Sequence, residues 1–157
     1  MEEINFGEQI VIQEAPLIQE AIIVHNQQLD HFLAESAASL SVLDHNRQTG
    51  WELYIAARDG QKDSLERILS REKSDVQGEL VNKSYTDGEQ SCSPLIIAAR
   101  NGHGPVVSSL IEGYNTDLES EGTVKFDGHV IDGATALWCA AGAGHKKIGD
   151  KQHSHLI

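Results

Sequence analysis

Ser93-Pro94-Leu95-Ile96-Ile97-Ala98-Ala99-Arg100-Asn101-Gly102-His103-Gly104-Pro105-Val106-Val107-Ser108-Ser109-Leu110-Ile111 reads as two short antiparallel helices joined at a glycine corner. Ser93 can accept a hydrogen bond from a first-turn N–H, and Pro94 suits the first helical position because it has no N–H to leave unpaired. Ala98 and Ala99 let a partner helix come close, and Leu95 supplies apolar bulk. Gly102 ends the first helix, since a left-handed conformation carries no steric penalty for glycine. Val106, Val107, Leu110 and Ile111 then form the apolar stripe of the second helix.

The same pattern occurs once on either side. Leu53-Tyr54-Ile55-Ala56-Ala57-Arg58-Asp59-Gly60 precedes it, and Leu137-Trp138-Cys139-Ala140-Ala141-Gly142-Ala143-Gly144-His145 follows. Gly60, Gly102 and Gly144 are 42 residues apart, and the paired alanines keep that interval. Ser-Pro-Leu, Ala-Ala, Asn-Gly-His and the Val-Val, Leu-Ile stripe resemble the ankyrin repeat, whose usual period is about 33 residues, so each linker carries an insertion of roughly nine. The expected fold is an all-α ankyrin-repeat solenoid of about two and a half repeats. A short β-hairpin finger and a helical or partly disordered N-terminal extension complete it.

Three blocks together carry a narrower resemblance: Leu95 to His103, then Gly122-Thr123-Val124-Lys125-Phe126-Asp127-Gly128, then Ile131 to His145. They are similar to the amino-terminal ankyrin repeats of the Fem (feminization) family, substrate receptors of cullin-RING ubiquitin ligases. The likeness covers about Trp51 to Lys146. It implies a module that binds the carboxy-terminal degron of a protein substrate, arginine-bearing ends among them. In that family the aspartate matching Asp127, with the aromatic before it, helps to hold the degron. By resemblance Phe126 and Asp127 are therefore the leading peptide-binding candidates, with His129 and Trp138 as wall residues.

The residues themselves leave alternatives open. Thr123 to Phe126 and His129 to Ile131 alternate on either side of Asp127-Gly128, the signature of a tight hairpin that pairs Phe126 with His129 and Lys125 with Val130. Asp127 reads as a turn former that tolerates positive φ, and also as an acceptor for a basic group. Trp138 reads as packing between repeats or as a groove wall. His103 and His145, just past their corner glycines, read as partners of local backbone. A generic ankyrin scaffold that binds a folded partner through its concave face is the competing function.

The chain of 157 residues carries 24 acidic and 12 basic side chains, a net charge of −12 and a pI near 4.9. Such a balance opposes nucleic-acid binding, which needs clustered Lys and Arg, and favours basic peptides. No apolar run approaches the ~20 residues needed to cross a bilayer, so no membrane contact is expected and a cytoplasmic or nuclear setting is. Cys92 and Cys139 are too few for a disulfide framework. Cys139, His145, His153 and His155 match no closed metal site, and no nucleophile, base and orienting group fall at a useful spacing. Neither a cofactor nor an enzymatic activity is expected.

Residues 1–50 read as an acidic extension of net charge −7, with one or two helices from about Pro16 to Leu43. The repeats are expected over 51–148. The linker 71–90 is assigned no regular structure beyond a turn of helix near Asp75 to Val81. After His145 the chain offers only Ile148, Leu156 and Ile157 as bulky apolar residues. A half repeat followed by a disordered tail over 149–157 is the expectation, leaving a truncated stack that needs the N-terminal segment or a partner to cover it. By the resemblance, the regions that dock elongin and cullin are missing, so no contact with either is expected of this chain.

Overall fold

A computed structural model of the protein describes residues 6–156, with side chains described for 16–155. The chain divides after Asp44 into two compact units. The helix α1 (Phe6–Arg58) supplies the described part of the first unit and the opening helix of the second. It runs without interruption through Gly50, where the boundary of the extension was expected. Between residues 16 and 44 no side chain is buried. Residues 1–5 of the acidic extension lie outside the described residues.

The second unit contains three helical hairpins. The end of α1 turns into α2 (Lys62–Ser70), α4 (Pro94–Arg100) into α5 (Gly104–Gly113), and α6 (Ala136–Gly142) into α7 (Lys146–Leu156). Ser93 caps α4 by accepting from the Ile96 N–H, and Thr135 caps α6 by accepting from the Trp138 N–H. The first of these caps anchors its helix start where the sequence placed it.

The three corners are equivalent, with Gly60, Gly102 and Gly144 at φ 73°, 78° and 76°. At each, the N–H after the glycine donates back to the first alanine of the pair: Gln61 to Ala56 at 2.8 Å, His103 to Ala98 at 2.9 Å and His145 to Ala140 at 2.7 Å. The glycine N–H donates to the second alanine's carbonyl, at Ala57, Ala99 and Ala141. This pair of nested bonds is the Schellman helix stop, and it accounts for a glycine at a constant offset from the alanines.

The histidines cross-link neighbouring repeats. His103 places Nε2 2.8 Å from the Arg58 carbonyl, and His145 places Nε2 3.3 Å from that of Arg100. Each imidazole thus meets an orphan carbonyl at the end of the preceding repeat's first helix. Within the stack α4 packs on α6, while α5 lies between α2 and α7. Leu53, Tyr54, Leu65, Leu69, Leu95, Ile97, Val106 and Leu110 are essentially inaccessible, and they run through the hairpins as one core.

The first insertion contains more structure than expected. The first forms α3 (Ser74–Asn82) and a hairpin of β1 (Tyr85–Asp87) and β2 (Gln90–Cys92); the second forms the expected hairpin of β3 (Gly122–Phe126) and β4 (His129–Ala134). The strands join into one antiparallel sheet in the order β1-β2-β3-β4, with Ser91 opposite Thr123 where the fingers meet. Asn82 ties the insertions together below the sheet, donating to the Asn115 carbonyl and accepting from the Asp117 N–H.

The expectation of a disordered tail over 149–157 requires correction, because α7 continues to Leu156. The third repeat therefore has both helices. Ile148 is buried at 6% exposure, and Lys151 donates to Ser108 and pairs with Glu112 on α5. Polar anchoring replaces the missing apolar stripe, which is why the segment did not read as a repeat helix.

Gln152, on the same helix, is 2% exposed, and neither polar atom of its amide has a hydrogen-bond partner among the described residues. An orphaned buried amide opposes folding by about 1–3 kcal/mol. Gln152→Leu is expected to raise the thermal midpoint by a few degrees. A midpoint unchanged or lowered would show that the amide does find partners in solution.

Candidate functional site

The finger tip is set by Asp127 and Gly128, at φ 47° and 82°. Two consecutive residues at positive φ define the type I′ turn, whose twist matches that of the strands it joins. Asp127 is the lone non-glycine residue with positive φ among the described residues, a conformation that aspartate tolerates better than bulkier residues do. Phe126 pairs with His129 and Lys125 with Val130, the register expected from the alternation.

The four candidates separate into two groups. Phe126 and Trp138 meet edge to face, with ring centroids 5.6 Å apart and planes at 86°. Such a pair is favourable beyond the area it buries. Trp138 remains 45% exposed, so one wall of the indole faces solvent while the other contacts the finger. It both packs and remains accessible. Asp127 and His129 lie exposed at the tip, and no hydrogen bond or ion pair engages either side chain among the described residues.

Arg100 organises this site and was not singled out from the sequence. Its guanidinium lies 5.0 Å from the centre of the Phe126 ring, close enough for a cation–π attraction. It also donates through Nε and Nη2 to the Lys125 carbonyl, and through Nη1 to Asn101. The last turn of α4 is thereby tied to the finger of the following insertion. Arg58, 42 residues earlier, does the equivalent work by pairing with Asp87 on β1 at 3.1 Å. It also pairs with Asp59, and the guanidinium beside that carboxylate holds its pKa below the ordinary value. The signal was available in the repeat phase: an arginine directly after the alanine pair, twice.

The fingers carry a further ion pair and a further hydrogen bond. Lys125 reaches Glu89 on the neighbouring finger, and Thr123 donates to Asp132 at 2.7 Å. The first ties the two fingers to each other, and the second ties the two strands of one finger.

The remaining reactive groups are quiet. Cys92 and Cys139 are free and buried, and burial pushes their thiols up to about 11 and about 12, so neither is a nucleophile near neutrality. No grouping of His, Cys, Asp and Glu suited to a metal ion occurs among the described residues. Among those residues, no helix is long and apolar enough to cross a membrane.

Repeated Schellman corners, stacked helical hairpins and projecting fingers define an ankyrin-type binding module. The family model for ankyrin repeats in three copies matches residues 53–150, and the chain belongs to that family. Within it, the chain is similar to Protein fem-1 homolog CG6966 of Drosophila melanogaster, 37% identical over 96 residues, which is 61% of this chain and 14% of the relative. It is also similar to Protein fem-1 homolog A of Homo sapiens, 41% identical over 76 residues, covering 48% and 11% of the two chains. Protein fem-1 homolog C of Xenopus laevis is 39% identical over 83 residues, covering 52% and 13%. The matched stretches thus span about an eighth of the length of these curated relatives. An ankyrin-repeat protein-binding module related to the fem-1 homologs is the class these findings define.

Proposed function

We propose that the module captures the carboxy-terminal tail of a protein substrate, in the manner of a ubiquitin-ligase substrate receptor, with Asp127 accepting a basic side chain of that tail. The observation that carries this reading is the unengaged Asp127 carboxylate on a stiff turn beside the Phe126–Trp138 pair. In this reading the guanidinium of a terminal or near-terminal arginine meets Asp127, while its alkyl stem and neighbouring side chains lie on Trp138 and His129. An ion pair at an exposed tip contributes little alone, but a bidentate arginine shielded by an aromatic wall contributes more. The net charge of −12 adds long-range attraction for basic tails. Arg100 acts at one remove, holding Phe126 and the β3 carbonyl in place. Elongin and cullin docking is assigned to none of the described residues, and a cytoplasmic or nuclear setting belongs to the same proposal.

The test is titration of fluorescent peptides with a free carboxy-terminal arginine against the protein and its Asp127→Ala variant. Loss of the ion pair is expected to weaken binding about tenfold, the effect of about 1.4 kcal/mol. Amidating the peptide terminus or replacing the arginine with alanine is expected to weaken it as well. Equal affinities for both proteins would remove the assignment. Binding to a folded domain without dependence on a free terminus would establish the generic scaffold instead.

A further inference from the structure

The unit Met1–Asp44 presents an apolar seam that the repeat function does not use. Along α1, Ile18, Ile22, His25, Leu29, Phe32, Ser36, Ser39 and Leu43 succeed each other at alternating steps of four and three residues. Five of these eight positions are apolar and follow the a and d pattern of a heptad, interrupted by His25, Ser36 and Ser39; Leu17, Ile23 and Val24 are further open apolar residues off this line. Its apolar members lie open, with Ile18 at 55%, Leu29 at 44%, Phe32 at 64% and Leu43 at 64% exposure. Leu33 and Leu40, both more than half exposed, widen the seam on one side. Open apolar surface in such a stripe is costly unless another helix covers it.

Charge identifies the occupant. The positions flanking the seam hold Gln19, Ala21, Asn26, Gln28, Leu33, Glu35, Leu40 and Val42, with Glu35 alone charged. Glu20, Asp30 and Asp44 point away from it by the same helical count. A basic helix would therefore find one carboxylate to meet beside the seam, whereas a second copy of this segment brings no charge but Glu35 to the flanking positions.

We infer that the chain dimerises through this seam as an antiparallel two-stranded coiled coil. Antiparallel pairing centred between residues 30 and 31 sets Leu29 against Phe32 of the second copy at the middle and Ile18 against Leu43 at the ends. It also sets His25 against Ser36, a shared polar layer of the kind that defines register in coiled coils, and Ile22 against Ser39, a mixed one. Glu35 falls beside Gln28 of the second copy, which can donate to it. Parallel pairing would instead stack histidine on histidine and Ser36 on Ser36. At 1.5 Å per residue the seam is about 39 Å long, and a third of the helix circumference over that length is on the order of 600 Å² per copy. The total of about 1,200 Å² reaches the lower range of stable specific interfaces.

Sedimentation equilibrium of the full chain at micromolar concentrations tests the pairing. The wild type is expected at twice the 17.1 kDa chain mass. Leu29→Lys and Phe32→Lys should sediment as monomers, and Ile23→Lys, off the seam, should remain dimeric. All three sites are exposed, so thermal unfolding of the repeats should be unchanged and separates lost pairing from lost folding. Orientation is read by mixing an Ile18→Cys chain with a Leu43→Cys chain under mild oxidation. The mixed disulfide should form and neither variant should cross-link with itself, since native Cys92 and Cys139 are buried. A monomeric wild type, a dimeric Leu29→Lys, equal loss in Ile23→Lys, or self-cross-linking in place of the mixed product would each overturn the antiparallel dimer. A seam made for a helix of another protein would give the first of these results.

Discussion

Gly102→Ala is expected to destabilise the repeat unit by about 3 kcal/mol, combining the left-handed backbone penalty with overpacking at the corner. A Cβ built there would lie 2.5 Å from Cε1 of His145 and 2.8 Å from its Nε2, the atom that meets the Arg100 carbonyl. The imidazole cannot retreat without giving up that bond, so strain and a lost inter-repeat contact add together. Gly144→Ala is the matched control. Its φ of 76° is nearly the same, but among the described residues nothing lies within 4 Å of the added carbon. Backbone strain alone remains, about 1–2 kcal/mol. Urea denaturation of the two variants beside the wild type measures the difference, and equal losses would show that the corner histidine is not a constraint.

Leu110→Ala should cost about 3 kcal/mol, within the 2–5 kcal/mol found for deleting buried leucine side chains. Leu110 is fully inaccessible on α5, the helix packed between α2 and α7, so the cavity would open where all three hairpins depend on one another. The stack unfolds as nearest-neighbour units, and weakening the central one should broaden the transition as well as shift it. Val130→Ala on β4, 47% exposed, should change stability by less than about 0.5 kcal/mol. A Leu110→Ala midpoint near that of Val130→Ala would mean that the hairpins do not share a core.

The hairpin corners and the second finger were legible because their causes are local. A serine at a helix start, a glycine at its end and Asp127-Gly128 between alternating residues each act within a few positions. The pairing of Phe126 with His129 followed from turn geometry alone. His103 and His145 also read correctly as backbone partners, although the carbonyls they reach belong to the preceding repeat.

The candidate site was only half legible. Phe126 and Trp138 were named separately, but their edge-to-face contact depends on how the finger folds back toward α6. Arg100 was overlooked because an arginine at a helix end has an ordinary local reading, and its role appears only when the Lys125 carbonyl arrives from 25 residues away. The strands β1 and β2 escaped notice for a similar reason. Tyr85 to Asp87 and Gln90 to Cys92 are too short to alternate visibly, and their edge is completed by β3.

By itself the sequence determined the 42-residue phase, the cap at Ser93, the glycine corners and the tight turn at Asp127, all of them consequences of backbone preference and side-chain period. Only the tertiary structure decided that α7 closes the third repeat, that both insertions join in one sheet and that Arg100 positions the aromatic pair. The division has a physical basis. Caps and corners draw their stability from neighbours along the chain, whereas a polar helix such as α7, or a three-residue strand, is held by groups that only the folded stack brings within reach.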